Sequence, residues 1–375
     1  MVHFIWISLT LFVIIFLCLK IYGAIRYFGS GLPDKLRMLI TAAVCAVFAV
    51  SAGVTGFGVY FIALMHLTAF FLICDIIAFA VKKTGREKKP SRFREAVLKS
   101  GAVPILLTVL MLTYGYFNIY HIVRMEYTVF AEKNIREEGY TIVFLSDLHY
   151  GVTLDKSQLE EACASIGKEN PDIVVLCGDI IDERTSLAQM REAFSVLGSI
   201  SSRYGVFYVY GNHDKRFYSA EYTKEQLDEA TEQSGIRVLD DSVLEINEEI
   251  ALIGRADRGY GDIERKTAAE LTAGLNPDLA WIVLDHQPTD YAEVEANGGD
   301  LILSGHTHAG QLWPTGTIAD MLHLDEMNYG YKKQGNLNAI VSSGIAGWGY
   351  PLRTAKHSEY VVVYLKSYFH NQKDI

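Results

Sequence analysis

Residues Pro171–Asp182 read PDIVVLCGDIID, and this stretch decides the fold. Its first half, Asp172–Cys177, is a short apolar run rich in β-branched residues, which predicts a buried strand. The strand ends at Gly178, and acidic residues follow at positions 179 and 182. Open α/β sheets place their chemistry at the carboxyl ends of strands. Asp179 alone could equally be a turn former or a helix cap, so the other strand ends must decide between these interpretations.

Four further predicted strands end in acids, amides or histidines. In chain order these are Asp147 and His149 after Thr141–Ser146, Asn212, His213 and Asp214 after Val206–Tyr210, His286 after Trp281–Leu284, and His306 and His308 after Leu301–Leu303. Two residues separated by one position in an extended segment point to the same side. The D-x-H and H-x-H pairs can therefore each face one ion.

The donor atoms of these side chains indicate a metal centre. Mixed oxygen and nitrogen donors suit divalent ions such as Mn, Fe or Zn, and the lack of thiolates excludes a structural zinc site of the cysteine type. His213 can serve as a proton donor or acceptor, with Asp214 orienting its ring. The other seven side chains are too many for one ion that keeps open positions, so two ions sharing a bridging carboxylate fit better. Two-metal sites act on phosphate esters. Each motif alone could be an ordinary polar turn, but their combination favours a site.

The composition of the 375-residue chain changes near residue 124. Residues 1–124 carry 13 Lys and Arg against four Asp and Glu, whereas residues 125–375 carry 21 against 40. Hydrophobic residues make up 50% of the sequence, and the excess is concentrated in the first part. We therefore predict a transmembrane region at 1–124 and a catalytic domain at 125–375.

We predict four transmembrane helices, at residues 4–25, 38–58, 60–81 and 96–120, because each segment holds about 20 mostly apolar residues. The first segment lacks the basic start and cleavage site of a secretory signal, so we expect it to be retained. A Gly-rich turn at 51–58 separates the second and third spans. Lys and Arg are concentrated in the first loop and in the third loop, residues 82–94, and no charge lies in the second.

The positive-inside rule then orients the chain. The basic loops face the cytoplasm, and the catalytic domain of this multi-pass cell-membrane protein is extracytoplasmic. The loop at 82–94 could instead bind lipid head groups. His66 and Asp75 lie inside the third span, where ionisable groups are functional candidates, but Asp75 could equally pair with another helix or reach the interface.

The order of the motifs resembles the calcineurin-like metallophosphoesterase superfamily. The motifs are D-x-H, GD-x-x-D, GNH-D, H and GH-x-H, present here as Asp147-Leu148-His149, Gly178-Asp179-Ile180-Ile181-Asp182, Gly211-Asn212-His213-Asp214, His286 and Gly305-His306-Thr307-His308. The resemblance covers about residues 140–365. It is greatest to the membrane-associated bacterial branch, whose last motif continues as His-Ala-Gly-Gln, as at 308–311. It implies an α/β fold, a four-layer αββα sandwich, which here follows the all-α four-helix transmembrane region.

The resemblance also implies two divalent metal ions, Mn, Fe, Zn or Mg, and a role for each site residue. The ligands of one ion would be Asp147, His149, Asp179 and His308. Those of the other would be Asp179, Asn212, His286 and His306, so that Asp179 bridges the two. His213 would be the general acid, helped by Asp214. Asp182 would support a ligand without binding metal.

The expected function is a membrane-anchored phosphohydrolase acting on a phosphomonoester or phosphodiester, in particular a lipid-linked or cell-envelope phosphate ester. Trp313, just after the last motif, could contact membrane lipids, although core packing explains it equally well. Nucleic acid is a poor candidate partner, because the acidic catalytic domain has no basic run. The alternative from another class is a metal-binding membrane sensor or transport component with an inactive phosphoesterase domain. Lost ligands would mark that alternative, and none is lost here.

Overall fold

The computed structural model of the chain describes residues 2–55, 58–84, 92–215, 220–258 and 265–371. The chain divides into two compact units, Met1–Tyr114 and Gly115–Ile375. The division falls inside a helix, so the last residues of that helix belong to the second unit.

The amino-terminal part of the chain is helical. Its helices are α1 (Val2–Phe28), α2 (Asp34–Thr55), α3 (Val59–Lys83), α4 (Arg92–Ser100) and α5 (Ala102–Tyr120). Within the described residues, three segments are long and apolar enough to cross a membrane, namely Ile7–Phe28, Val59–Lys83 and Ala102–Tyr120.

The predicted count of four spans is therefore matched only roughly. α2, which corresponds to the predicted span at 38–58, begins with three charged residues and is not among the three segments. The predicted span at 96–120 is divided at Gly101, whose φ of 73° is a left-handed conformation that glycine adopts readily. Residues 56–57 of the predicted Gly-rich turn and residues 85–91 of the predicted basic loop lie outside the described residues.

Asp75 and His66, the two ionisable residues of the third predicted span, both have polar partners among the helices. The Lys20 ammonium of α1 forms an ion pair with the Asp75 carboxylate of α3. His66 is buried, and its Nδ1 lies 2.9 Å from the carbonyl oxygen of Ile62, one turn earlier. Pairing with another helix, one of the two structural alternatives predicted for Asp75, is what the structure shows.

The second unit is built on two six-stranded sheets. Its strands are β1 (Ile122–Ala131), β2 (Tyr140–Leu145), β3 (Ile173–Cys177), β4 (Val206–Val209), β5 (Ile236–Val238), β6 (Ser242–Glu245), β7 (Ile250–Gly254), β8 (Ala280–Leu284), β9 (Leu301–Ser304), β10 (Gly330–Gln334), β11 (Leu337–Val341) and β12 (Ser358–Ser367). The first sheet has the order β1-β12-β2-β3-β4-β5 and the second the order β10-β11-β9-β8-β7-β6. β2 to β5 run parallel to one another, as do β7, β8, β9 and β11.

Helices cover the outer faces of both sheets. The helices of this unit after β1 are α6 (Lys156–Gly167), α7 (Leu187–Gly198), α8 (Lys224–Gln233), α9 (Ala268–Thr272), α10 (Tyr291–Ala296), α11 (Thr315–Leu322) and α12 (Tyr368–Asn371), of which α6 to α10 form the outer layers. α6, α7 and α8 share an apolar core with the first sheet, and α9 and α10 share another with the second. Between the sheets lies a third core, to which Phe144 of β2 and Ile282 of β8 contribute. The predicted four-layer αββα sandwich is confirmed.

Four of these helices begin with a capping box, in which two side chains bind the free backbone N–H groups of the first turn. The N-cap residues of α6, α7, α8 and α9 are Asp155, Ser186, Thr223 and Thr267. The Ser186 box fixes the end of the loop between β3 and α7, which contains Asp179 and Asp182.

β1 and β10 are not among the strands predicted from the sequence. β1 continues almost directly from α5 and pairs in parallel with β12 over its whole length. β10 is a short edge strand whose residues, GYKKQ, are mainly polar. β10 lacks the apolar alternation by which a strand is predicted. Val123–Val129 in β1, VRMEYTV, does alternate apolar and polar residues, so a local pattern was available for β1.

The inter-sheet core should dominate the stability of the second unit. Phe144 is fully buried there, and we expect Phe144→Ala to lower the free energy of unfolding by about 3–5 kcal/mol, because the cavity cannot collapse between two sheets. Urea titration of the full chain in detergent measures the change. Phe369→Ala, at an exposed position near the carboxyl terminus, is the matched control and should change the same quantity by less than about 0.5 kcal/mol. Similar losses in both variants would contradict the assignment of this core.

Candidate metal centre

The predicted site residues converge at the carboxyl ends of five strands. β2, β3 and β4 supply them from the first sheet, and β8 and β9 from the second. Because the two sheets face each other, loops from both layers meet at one end of the sandwich. The side chains concerned are buried, except that of His306, which is half-buried.

Two groups of side chains could each hold a metal ion, and we call them the first and second ligand groups. Asp147, His149 and His308 form the first, in which one donor atom of each residue lies within 4.8 Å of the others. His308 Nε2 lies 3.4 Å from Asp147 Oδ1 and 3.3 Å from His149 Nε2. The group joins the two sheets, since Asp147 and His149 follow β2 whereas His308 follows β9.

Asp179, His286 and His306 form the second ligand group, by the same distance criterion. Asp179 Oδ2 lies 3.2 Å from His286 Nε2 and also 3.7 Å from His149 Nε2 of the first group. The Asp179 carboxylate therefore faces one imidazole from each group.

The backbone is left-handed at five of these six residues. The φ angles are 55° at Asp147, 42° at His149, 52° at Asp179, 72° at His306 and 51° at His308. Such angles are uncommon in residues other than glycine and cluster at functional sites, where surrounding structure holds them. Here they turn side chains that leave the strand ends back toward a common centre.

Glycines make room for the ligands. A Cβ atom at Gly178 would overlap the His286 ring, and one at Gly305 would overlap the Asp147 carboxylate. A Cβ atom at Gly211 would overlap both the side chain and the backbone nitrogen of Asp179. The glycines of the GD, GN and GH motifs are thus required by close packing against a ligand residue.

The donor atoms fit a pair of divalent cations. His286 Nδ1 lies 2.9 Å from the Cys177 carbonyl oxygen and donates its proton there, which turns Nε2 toward Asp179. Nε2 is buried, and Asp179 Oδ2 lies 3.2 Å from it. A histidine held in this way through one nitrogen is the usual arrangement of a metal ligand. The first group likewise brings two Nε2 atoms and a carboxylate oxygen together.

The electrostatics favour positive charge between the groups. Burial lowers the pKa of His286, but the carboxylates of Asp179 and Asp147 outweigh that effect and hold this pKa well above its usual range. Burial opposes ionisation of Asp179, yet His286 and His149 hold its pKa well below the usual range. Burial and then His286 lower the pKa of His306 to about 4, which keeps its imidazole neutral and able to act as a ligand.

The turn after β4 is bound to the second ligand group through Asp214. Its Oδ2 accepts hydrogen bonds from the backbone N–H of Asp179 and of Gly211, both at 2.7 Å, and its Oδ1 accepts one from Ile181 at 3.0 Å. The backbone N–H of His213 in turn donates to Asp179 Oδ1 at 2.8 Å. Asn212 is buried within this turn. The Asp214 carboxylate thus organises the backbone turns after β3 and β4.

Glu183, which no sequence motif singles out, contacts the His213 ring. Glu183 Oε2 lies 2.8 Å from His213 Nδ1. The His213 ring lies 5.1 Å from the His149 ring, beside the first ligand group. Glu183 lies in a run of five polar residues, Asp182–Ser186, so its spacing carries no signal that separates it from its neighbours.

Asp182 contacts His149 through the ring nitrogen Nδ1. Its Oδ2 lies 3.5 Å from His149 Nδ1, and its Oδ1 accepts a hydrogen bond from the backbone N–H of Arg184. Asp182 thus lies on the side of the His149 ring away from His308, since His149 Nε2 is the atom that faces His308.

A buried arginine, also absent from the sequence prediction, supports the last motif. The Arg353 guanidinium donates to the carbonyl oxygens of His308 and Ala346. Gln311 donates to the carbonyl oxygens of Trp348 and Leu352. These contacts join the HAGQ stretch to the loop at 345–355. The Trp348 ring in that loop is 42% exposed and lies 5.6 Å from the His213 ring, at the rim of the site.

Comparison with known proteins identifies the second unit. Residues 140–310 match the family model of the calcineurin-like phosphoesterases. An uncharacterized metallophosphoesterase of Campylobacter jejuni is 32% identical over 234 residues, which are 60% of this chain and 59% of that protein. The chain thus spans less than two thirds of the length of this relative.

Two further relatives extend the match. A transmembrane protein with metallophosphoesterase domain from Danio rerio is 28% identical over 333 residues, 82% of this chain and 72% of that protein. An uncharacterized metallophosphoesterase of Aquifex aeolicus is 30% identical over 275 residues, 70% of this chain and 98% of that protein. Together with the converging aspartates and histidines, these similarities show that the chain belongs to the calcineurin-like metallophosphoesterase family.

Proposed function

We propose that this protein is a membrane-anchored phosphohydrolase that depends on two divalent metal ions. The observation that carries the proposal is the pair of ligand groups that share the Asp179 carboxylate. Asp147, His149 and His308 would hold one ion, with Asp179 reaching it. Asp179, Asn212, His286 and His306 would hold the other. Mn, Fe or Zn suits these mixed donors, and Mg is the fourth candidate.

When bound, the two ions would lower the pKa of water and stabilise negative charge on the phosphoryl oxygens. The chain's own residues would do the rest. His213 lies beside the first ligand group and would donate a proton to the oxygen that leaves phosphorus. Glu183 would hold the His213 ring in orientation, the role we expected of Asp214. Asp214 would fix the turns that carry Asp179 and His213.

The substrate we propose is a phosphomonoester or phosphodiester of the membrane or the cell envelope. Three apolar helices that could cross a membrane support the anchoring. The proposed extracytoplasmic site requires α2 to cross as well, as the four-span prediction has it, because only then do both basic loops face the cytoplasm. A nucleic-acid substrate is disfavoured by the excess of acidic residues after residue 124.

An inactive domain that only binds metal in a membrane sensor or transport component remains the second candidate. It predicts metal binding without hydrolysis. The contact between Glu183 and His213 favours an enzyme, because a sensor needs no oriented proton donor beside its metal ligands.

Replacement of Asp179 should separate the bridging role from simple support. With Mn, Mg, Fe or Zn, we expect the full chain in detergent to hydrolyse aryl mono- or diesters, and Asp179→Asn to lose more than about 1,000-fold of kcat because both ions lose a ligand. Asp182→Asn, its control in the same motif, should lose only about 10–100-fold, since it contacts a ligand from behind. Metal content by mass spectrometry should fall in Asp179→Asn. A wild-type chain that retains metal and hydrolyses no ester would support the sensor instead.

The general-acid assignment has its own signature in the leaving group. We expect His213→Ala to lower kcat about 100-fold or more for alkyl phosphate esters, whose leaving oxygen needs a proton, and much less for nitrophenyl esters. Glu183→Ala should show the same preference at about a tenfold smaller loss, and Glu160→Ala on the exposed face of α6 should show none. Equal losses for both classes of ester would contradict proton donation by His213.

The orientation can be measured on intact cells. Glu160→Cys places a thiol on the exposed face of α6 in the second unit. We expect a membrane-impermeant maleimide to label this variant from outside, while the parent chain, in which Cys163 and Cys177 are buried, stays unlabelled in this unit. Labelling that requires permeabilised cells would place the site in the cytoplasm.

A further inference from the structure

α11 presents an unusual surface for a helix of an α/β domain. Four large apolar side chains are exposed on and just after it: Ile318 at 47%, Met321 at 75%, Leu322 at 64% and Leu324 at 65%. At 100° per residue, the first three lie on one face of the helix. A helix on the surface of a soluble domain turns its apolar face to the core, so this pattern is reversed.

The opposite face of α11 explains the reversal. Gly316 is buried there, and a Cβ atom at this position would come close to the carbonyl oxygen of Ala309. The helix therefore packs on the turn that follows His308 through its smallest residue. Its large apolar residues are left on the outside, where an apolar partner would be needed to cover them.

The segment that carries α11 begins and ends at the metal site. Thr315 Oγ1 donates to the carbonyl oxygen of Gly310, two residues after His308. At the other end, Thr307 Oγ1 donates to the carbonyl oxygen of Asn328 at 2.6 Å. Residues 311–328 thus form a loop whose two ends meet, and we call this loop the apolar arm. Its ends meet at Thr307, which lies between His306 and His308.

The apolar arm is also bound to the chain segment that contacts the end of α5. Trp313 N–H donates to Thr354 Oγ1 at 2.9 Å, and Thr354 N–H donates to the Gln311 carbonyl oxygen at 2.9 Å. The neighbouring Arg353 N–H donates to the carbonyl oxygen of Gly115 at 3.0 Å. Gly115 lies within the apolar segment Ala102–Tyr120 that is long enough to cross a membrane.

These contacts, all within the second unit, place the base of the arm beside the last turns of a membrane span. Tyr116 and Phe117 in those turns are themselves exposed and aromatic, as is typical of side chains at a membrane interface. The exposed apolar face of α11 and the aromatic end of α5 thus lie near each other. The lipid bilayer is the partner that would cover both, because it surrounds α5.

We propose that the apolar arm inserts Ile318, Met321, Leu322 and Leu324 into the bilayer surface where α5 ends, and so holds the metal site at the level of lipid head groups. Resting on the proposed function, this inference makes the substrate class an amphiphilic phosphate ester whose hydrocarbon part stays in the membrane. Asp320, Asp325 and Glu326 lie on the same segment, so attraction to anionic lipids does not drive the insertion.

The insertion can be measured without any assay of activity. A solvatochromic fluorophore is attached to Met321→Cys or Leu324→Cys in the full chain, with the three cysteines of the membrane helices replaced by alanine, in phosphatidylcholine proteoliposomes. Glu160→Cys on α6 is the control at an exposed polar position. We expect a blue-shifted emission and at least a twofold quenching by doxyl-labelled lipid at positions 321 and 324, unchanged in 0.5 M NaCl, and neither effect at 160. Probes at 321 and 324 that behave like the control, or that are shielded from water without being quenched by lipid, as under a second copy or a protein partner, would overturn the proposal.

The substrate class is tested by a ratio of rates. We expect Met321→Ser combined with Leu322→Ser and Leu324→Ser to lower kcat/KM for a vesicle-embedded phosphate ester at least tenfold relative to kcat/KM for a soluble aryl phosphate. An unchanged ratio would overturn the substrate inference. A wild-type chain without activity on either ester would instead contradict the proposed function, and the fluorescence result would still decide the membrane contact.

Discussion

The buried carboxylate of Asp214 is the interaction on which the geometry of the site depends. It accepts hydrogen bonds from three backbone N–H groups, two in the turn after β3 and one in the turn after β4. A buried carboxylate is tolerated only when it is satisfied in this way, and each such bond to a charged acceptor is stronger than a neutral one. The Asp179 carboxylate in turn accepts a hydrogen bond from the backbone N–H of His213, in the turn that carries Asp214. Each of the two carboxylates thus accepts a hydrogen bond from the backbone of the turn that carries the other. Together they fix the ends of the neighbouring strands β3 and β4.

Around this contact the chain holds an unfavourable backbone. Left-handed φ angles at five ligand residues cost about 1–3 kcal/mol each, so they persist only because the rest of the domain is rigid. That rigidity comes from the inter-sheet core, in which the side chains facing across the sandwich have almost no exposed surface. The glycines of the motifs have the complementary role, because they let a neighbouring ligand approach the backbone more closely than any Cβ would allow. The geometry of the site therefore depends on the stability of the inter-sheet core.

Much of this could be predicted from the sequence, for identifiable reasons. The apolar runs before Asp147, Asp179 and His306 are short and bounded by glycine or polar residues, so both the strands and their polar ends are readable. The order of the strands in the sheets and the position of the polar edge strand β10 depend on pairing with other strands, which no local pattern encodes. β1 differs, because Val123–Val129 alternates apolar and polar residues and could have been recognised. The site shows the same division. The ligands lie in motifs, whereas Glu183 and Arg353 become visible only through tertiary contacts, with His213 and with the carbonyl oxygen of His308.

The closure of the apolar arm at its base separates two properties that often change together. The base of the arm is held by the hydrogen bond from Thr307 to Asn328, by the contacts of Gln311 and Trp313 with Thr354, and by Gly316 on the turn after His308. The exposed part beyond these contacts, residues 317–327, can therefore change in length or sequence without moving His306 or His308. The sheets and the base of the arm govern the geometry of the candidate ligands, whereas the exposed part governs what surrounds the opening. A scaffold of this kind can acquire a new substrate by exchange of that short segment alone.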